Sequence, residues 1–306
     1  MDLIHDVLNI LVPPIALICL ILFYPSYLVY KFISYTKRSL TKEDVRGKVV
    51  LITGASSGIG EYIAYEYAKR GARLALAARR EDRLLAVADR ALKLGSLDVM
   101  VIRSDVTKVE DCKFLIDKAV NHFGQLDHLV NNAGVAQHAL LEHINQITDF
   151  VPIMDTNFWG SAYCTYFAVP HLRKTRGKIV VIASTSSWSP TPGLNFYNAS
   201  KAAQVSLFET IRTEFGGGIG VTIVLPGVIE SEMANRKMLI QTGLDVLPIE
   251  STGRCAKAIV NSACRGDMYL TEPYWVGVGF LLKLLCPEVL EWTYHLHFVK
   301  NLWKLS

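Results

Sequence analysis

Tyr197 and Lys201 stand four positions apart in the run YNASK, and Ser184 lies thirteen positions before the tyrosine. Residues at i and i+4 share one face of a helix, so the ammonium can stand beside the phenol. That neighbour favours phenolate and is expected to lower a pKa ordinarily about 10 toward the range useful for proton transfer. The chemistry is general acid/base work on a substrate oxygen. A second group is the turn Gly54-Ala55-Ser56-Ser57-Gly58-Ile59-Gly60, with an apolar run before it and the helical run EYIAYEYAKR after it. Glycines in that setting let backbone approach a pyrophosphate whose charge the next helix N-terminus favours. A third is Arg79–Arg80, at a place where an acid would bind the ribose of NAD; no carboxylate appears before Glu81. Paired guanidiniums suit a 2′-phosphate, so the pattern favours NADP(H) over NAD(H).

These groups need a scaffold that brings distant segments to one edge. The runs KVVLIT, ARLALAA, DVMVIR, LDHLVNN, KIVVIAS and GVTIVL alternate with segments of helical periodicity. Near-continuous apolar strands between helices describe a parallel sheet covered on both faces, an α/β, Rossmann-type doubly wound fold. The expected organisation is a hydrophobic anchor over residues 1–33, a linker over 34–46, a dinucleotide-binding domain over 47–272 and an apolar C-terminal segment over 273–306, helical and broken at Pro287.

At 306 residues, 51% hydrophobic and 20% charged, the chain is too apolar for disorder. Its net charge of +4 is small and unclustered, so nucleic acid is not an expected partner. The six cysteines form no CxxC pair and no zinc spacing with histidine; they are read as reduced and structural, with no metal site. His138, His143 and His171 lack the Asp and Ser spacing of a triad and are read as ordinary core or surface residues. Trp188, Phe196 and Tyr274 are candidates for a cleft wall or for the core.

Residues 7–30 carry no charge over 24 positions, enough at ~1.5 Å per residue for a helix to cross a ~30 Å hydrocarbon layer. Asp2 and Asp6 precede the segment, and no basic region or small-residue cleavage site marks a signal peptide, so retention as an anchor is expected. Pro13, Pro14 and Pro25 leave two arrangements open: a kinked span, or a segment that dips into one leaflet or a droplet monolayer and returns. Lys31, Lys37, Arg38 and Lys42 follow it, which puts the remaining chain in the cytosol either way. The apolar stretch after residue 272 suits a core or a membrane surface equally.

With the NNAG run (Asn131–Gly134), Asn157 and Pro226–Gly227, these motifs resemble the short-chain dehydrogenase/reductase superfamily over residues 47–270. Within it, the proline-interrupted anchor, the arginine pair and the runs NFWG, FYNASKAA and EFGGGIGVTIV are similar to plant 11-beta-hydroxysteroid dehydrogenase-like proteins, the steroleosins. Those are lipid-droplet proteins with a proline knob and an NADP-binding dehydrogenase domain. The resemblance implies Tyr197 as general acid/base, Ser184 orienting the carbonyl, Lys201 holding the nicotinamide ribose, and Asn157 holding a water in a proton relay to Lys201. It implies cofactor contacts from Gly54, Ser56, Ser57, Gly58, Ile59, Gly60, Arg79, Arg80, Asp105, Asn132, Ala133, Gly134, Tyr197 and Lys201, with Pro226, Gly227, Ile229 and Ser231 closing over the nicotinamide. Ser231 stands where many relatives have Thr, and Ser57 where some NADP-preferring relatives carry a basic residue.

The expected activity is NADP(H)-dependent interconversion of a secondary alcohol and a ketone on a hydrophobic steroid, sterol or triterpenoid. The expected location is the lipid droplet and/or the endoplasmic reticulum membrane, and a homodimer is implied by the superfamily alone. Two alternatives stand beside this: a fatty-acyl or retinoid carbonyl reductase, and a non-catalytic lipid-droplet coat protein.

Overall fold

The computed structural model describes residues 2–299, so part of the apolar C-terminal segment, residues 300–306, lies outside the described residues. The chain divides into two units between Glu43 and Asp44. The first is one helix, α1, Asp2–Leu40, none of whose residues is buried. It runs through Pro13, Pro14 and Pro25 without a reversal, so the turn needed by a segment that dips and returns is not part of it. It also extends beyond the expected anchor boundary at residue 33 and takes up half of the expected linker. Residues 34–40 contain neither Pro nor Gly, Thr36 Oγ1 donates to the Phe32 carbonyl, and Lys37 and Arg38 complement the negative end of the helix.

The second unit alternates as the apolar runs require. Its first half comprises β1 (Val49–Thr53), α2 (Gly58–Ala68), β2 (Arg73–Ala78), α3 (Glu81–Lys93), β3 (Asp98–Arg103), α4 (Val109–Phe123) and β4 (His128–Asn131). The second half begins with α5 (Val151–Met154), which passes through a π-helical turn, Asp155–Trp159, into α6 (Gly160–Thr175). Then come β5 (Lys178–Ile182), α7 (Asn195–Phe215), β6 (Gly220–Pro226), α8 (Arg236–Thr242), α9 (Thr252–Arg265), β7 (Tyr269–Glu272), α10 (Val278–Leu285) and α11 (Pro287–Tyr294).

All seven strands are parallel in the order β3-β2-β1-β4-β5-β6-β7. The order reverses between β1 and β4, and a crevice opens beyond the carboxyl ends of the strands at such a switch point. Alternation along each strand feeds two cores. Val50 and Ile52 pack toward Ile63, Leu84 and Ile259 on one face, and Val49 and Leu51 toward Leu115, Leu172 and Phe208 on the other. At the amino ends, buried Asp127 accepts from the Val49 amide at 2.8 Å and from Lys48 Nζ at 3.0 Å, tying β1 to the start of β4. Four cysteines, Cys112, Cys164, Cys255 and Cys264, lie in these cores, whereas Cys19 and Cys286 are exposed.

Candidate active site

The turn after β1 is shaped by two glycines with different tasks. Gly54 has φ +64°, and a Cβ there would lie 2.8 Å from Ala133 Cα, so both conformation and space exclude a side chain. A Cβ on Gly60 would meet Asn132 Nδ2 at 2.3 Å and the Gly54 carbonyl at 2.6 Å; this glycine lets α2 pack on the NNAG run. Asn132 Nδ2 donates to the carbonyls of Thr53 (2.9 Å) and Gly54 (3.1 Å), while Thr53 Oγ1 accepts from the amides of Asn132 and Ala133. Ser57 precedes α2 without a side-chain capping bond, leaving the first-turn amides of that helix for an anion.

Arg80 spans this turn and the segment after β6. Its guanidinium donates to Ser57 Oγ at 2.6 Å and Ser56 Oγ at 3.1 Å, and pairs with Glu232 at 2.9 Å. Arg83 also pairs with Glu232, and the two arginines hold that carboxyl below its ordinary range. Arg79, Arg80, Arg83 and Arg103 line an adjoining cavity of about 470 Å³ with Glu81 and Asp82. Asp105, just past β3, accepts from the amide and hydroxyl of Thr107. Ser231 Oγ accepts from the Ala234 amide, and Ser231 Cβ lies 3.4 Å from the position a Gly58 Cβ would take.

Deeper in, α7 presents Tyr197 and Lys201 on one face, as their spacing requires. Lys201 Nζ, almost wholly buried, lies 5.8 Å from the Tyr197 ring centre and donates to the Ile182 carbonyl at 2.7 Å. Burial lowers this ammonium to about 7. Burial likewise raises the Tyr197 phenol above its ordinary value, and the hydrogen bond from Ser184 opposes it. The expected lowering by Lys201 is therefore not seen: one dry environment penalises both charged forms. Ser184 begins a short turn after β5 and also accepts from the Ser186 amide at 3.1 Å.

Asn157 stands behind the cleft wall, fully buried in the π-helical turn. Its side chain accepts from the Val135 amide (2.8 Å) and donates to the Val135 carbonyl (3.0 Å) and Ser200 Oγ (2.9 Å). Its main-chain oxygen accepts from Gln204 and Ser161. Gln204, absent from the sequence-based set, bridges Asn157 to Lys201. Its position three residues beyond Lys201, on the same helical face, was the available signal.

The residues chosen from sequence line one cleft of about 1040 Å³, apart from Gly60 and Asn157, which support its walls from behind. Trp188 lines it and meets Phe280 edge-on at 5.5 Å. Phe196 instead packs on Phe150 at 4.9 Å, and Tyr274 is 88% exposed. Trp275, Val278, Leu282, Tyr294 and Phe298 bring the C-terminal segment into the wall, the first three with about half of their surface still exposed, while Leu281, Leu284, Leu285 and Trp292 are exposed and outside it. The segment thus divides its apolar side chains between the cleft and the surface. Of the histidines, His138 is half-buried against Gly193, and burial lowers its pKa. Asn198, the first residue of an Asn-Ala-Ser sequence, is buried and donates to the Thr191 carbonyl.

A parallel sheet with this strand order, a glycine turn at its switch point and a Ser-Tyr-Lys cluster beyond β5 define a dinucleotide-dependent oxidoreductase architecture. The short chain dehydrogenase family model matches residues 48–239, and the chain belongs to that family. It is 54% identical over 311 residues to 11-beta-hydroxysteroid dehydrogenase A of Arachis hypogaea, covering 98% of this chain and 89% of that one. It is 52% identical over 302 residues to 11-beta-hydroxysteroid dehydrogenase-like 2 of Arabidopsis thaliana, covering 99% and 98%. Among solved structures, a short chain dehydrogenase/reductase from Burkholderia phymatum in complex with NAD superposes with TM-score 0.73 at 25% identity, over 81% of this chain and 96% of the other. An alcohol dehydrogenase from Thermococcus sibiricus complexed with 5-hydroxy-NADP gives 0.66 at 27% identity, over 73% and 95%.

Proposed function

We propose that this oxidoreductase is NADP(H)-dependent and interconverts a secondary alcohol and a ketone on a hydrophobic polycyclic substrate of the steroid, sterol or triterpenoid class. The observation that carries the proposal is the cleft itself: it joins an arginine-lined end, a glycine turn and the Tyr197–Ser184–Lys201 cluster to an apolar wall built by the C-terminal segment. The residues fit the cofactor. Close backbone packing at Gly54 and the uncapped start of α2 suit a pyrophosphate, and Arg79 and Arg80 suit a 2′-phosphate. When bound, the nicotinamide supplies or accepts the hydride.

The chain's own residues handle the proton. Tyr197 Oη gives a proton to the carbonyl oxygen in reduction and takes it back in oxidation, while the Ser184 hydroxyl donates to the same oxygen and fixes its direction. Lys201 stands beside the phenol, anchored on the Ile182 carbonyl, where its ammonium would hold the nicotinamide ribose of the bound cofactor. The relatives named 11-beta-hydroxysteroid dehydrogenase support the substrate class. The exposed apolar helix α1, followed by basic residues, supports attachment to the endoplasmic reticulum membrane or a lipid droplet with the enzyme unit in the cytosol.

The test is oxidation of NADPH, with NADH in parallel, by the full chain in detergent against steroid, sterol, triterpenoid and long-chain ketones and retinal, together with Tyr197→Phe. Turnover of a polycyclic ketone with NADPH that disappears in the variant is expected. Turnover of long-chain or retinoid carbonyls alone would transfer the assignment to that class. No turnover of any carbonyl tested despite NADPH binding would favour a coat protein.

A further inference from the structure

Gln204 has no place in the chemistry above, and its side chain is wholly buried. Its amide oxygen accepts from Lys201 Nζ at 3.2 Å, and its amide nitrogen donates to the Asn157 main-chain oxygen at 3.0 Å and to Ser161 Oγ at 2.7 Å. The amide can stand only one way round. An ammonium only donates and a main-chain carbonyl only accepts, so a flipped amide would oppose donor to donor and acceptor to acceptor. Both of its N–H groups are used, as is one lone pair of its oxygen.

The groups placed at the ammonium itself are Tyr197 and Gln204 on α7, the Ile182 carbonyl at the end of β5 and Gly134 after β4. Asn157 in the π-helical turn is joined to it through Gln204, and Ser184 stands at the Tyr197 phenol. Among the described residues no carboxylate pairs with Lys201. The acceptors that hold its charge in a dry site are a carbonyl and an amide.

We infer that Gln204 is a positioning residue, fixing the Lys201 ammonium between the Ile182 and Asn157 backbones so that its remaining N–H is presented to the cleft. The inference rests on the catalytic reading of Tyr197 and Lys201 and adds the group that sets the lysine in place. A neutral amide does this without neutralising the cation. A hydrocarbon at the same position leaves one donor unmet and drives the lysine toward its uncharged form, whereas a carboxylate holds the charge more firmly. The wider π-helical turn contributes by offering the Asn157 carbonyl to the glutamine.

The experiment is competitive acetylation of Lys201 by acetic anhydride as a function of pH, on the full chain in detergent and read by mass spectrometry. It needs neither cofactor nor substrate. Gln204→Leu is expected to move the Lys201 inflection down by about one pH unit and Gln204→Glu to move it up by about as much. Ser161→Ala, which removes one support of the amide, is expected to shift it less and in the direction of Gln204→Leu. Folding is checked by circular dichroism. An unshifted inflection in both folded Gln204 variants overturns the inference; if either fails to fold, an unshifted inflection in Ser161→Ala overturns it. A Tyr197→Phe enzyme that retains full turnover while the Lys201 inflection still follows Gln204 counts against the catalytic reading and leaves the positioning role standing.

Discussion

Tyr197 and Lys201 are held where both charged forms are penalised, and the consequences are measurable at the residue scale. Tyr197→Phe removes the proton donor and leaves the ring, so kcat is expected to fall by about 10²–10⁴-fold with cofactor affinity unchanged, read by steady-state kinetics and NADPH titration. Lys201 makes a separate prediction about stability. Its folded value of about 7 lies below its unfolded one, so the charged lysine destabilises the fold fully below pH 7, and that penalty fades as pH rises toward the unfolded value. The melting temperature of the wild type relative to Lys201→Met should therefore climb by several degrees between pH 6.5 and 9, roughly 2–4 °C per kcal/mol. A flat difference would mean that the ammonium is better solvated than its burial implies. The spacing of Tyr197 and Lys201 pointed to proton transfer, whereas the roles of Ser184 at the carbonyl and of Lys201 at the ribose came with the family resemblance. Gln204 escaped because its place on the Lys201 face of α7, the one signal in sequence, gives an amide no role until the fold supplies its partners.

At the scale of elements, the turn after β1 and the arginine end make the sharpest predictions. Gly54→Ala sets a methyl 2.8 Å from Ala133 Cα at a positive φ, so it is expected to cost about 2 kcal/mol or more in stability, measured by chemical unfolding. Arg79→Ala combined with Arg80→Ala is expected to weaken NADPH by about 10–100-fold and to change NADH much less, because charge-assisted bonds to a phosphate are removed. Equal losses for the two cofactors would place the selectivity elsewhere. Six strands were legible as short apolar runs because a doubly covered parallel sheet leaves them little polar surface. β7 was not: its sequence YLTE is four residues long, carries a charge and lies at the sheet edge, where one neighbour suffices. The Glu232 pairing was also hidden, since 149 residues separate it from Arg83.

For the molecule as a whole, the apolar surfaces of α1 and of the C-terminal helices predict behaviour at a lipid boundary. Replacing Leu281, Leu284 and Leu285 with Ser is expected to slow turnover of a vesicle-borne sterol ketone several-fold while leaving a soluble ketone unaffected, in assays with liposome-reconstituted full-length protein. Equal effects on both would assign these leucines to folding. The long apolar helix was legible from its uncharged run, but its continuity was not, because prolines allow a bend without requiring one. That continuity bears on how the chain is sorted. An unbroken rod of 39 residues, about 58 Å at 1.5 Å per residue, has Asp2 and Asp6 near one end and Lys37 and Arg38 near the other. A bilayer offers water to both ends, whereas a droplet monolayer offers it on one side only. Once such a rod spans, lateral escape to a droplet requires drawing two carboxylates through hydrocarbon, at several kcal/mol each. The unbroken helix would then act as a ratchet: insertion into a bilayer would commit the chain to that compartment, and a droplet-resident pool would have to be loaded before spanning is complete.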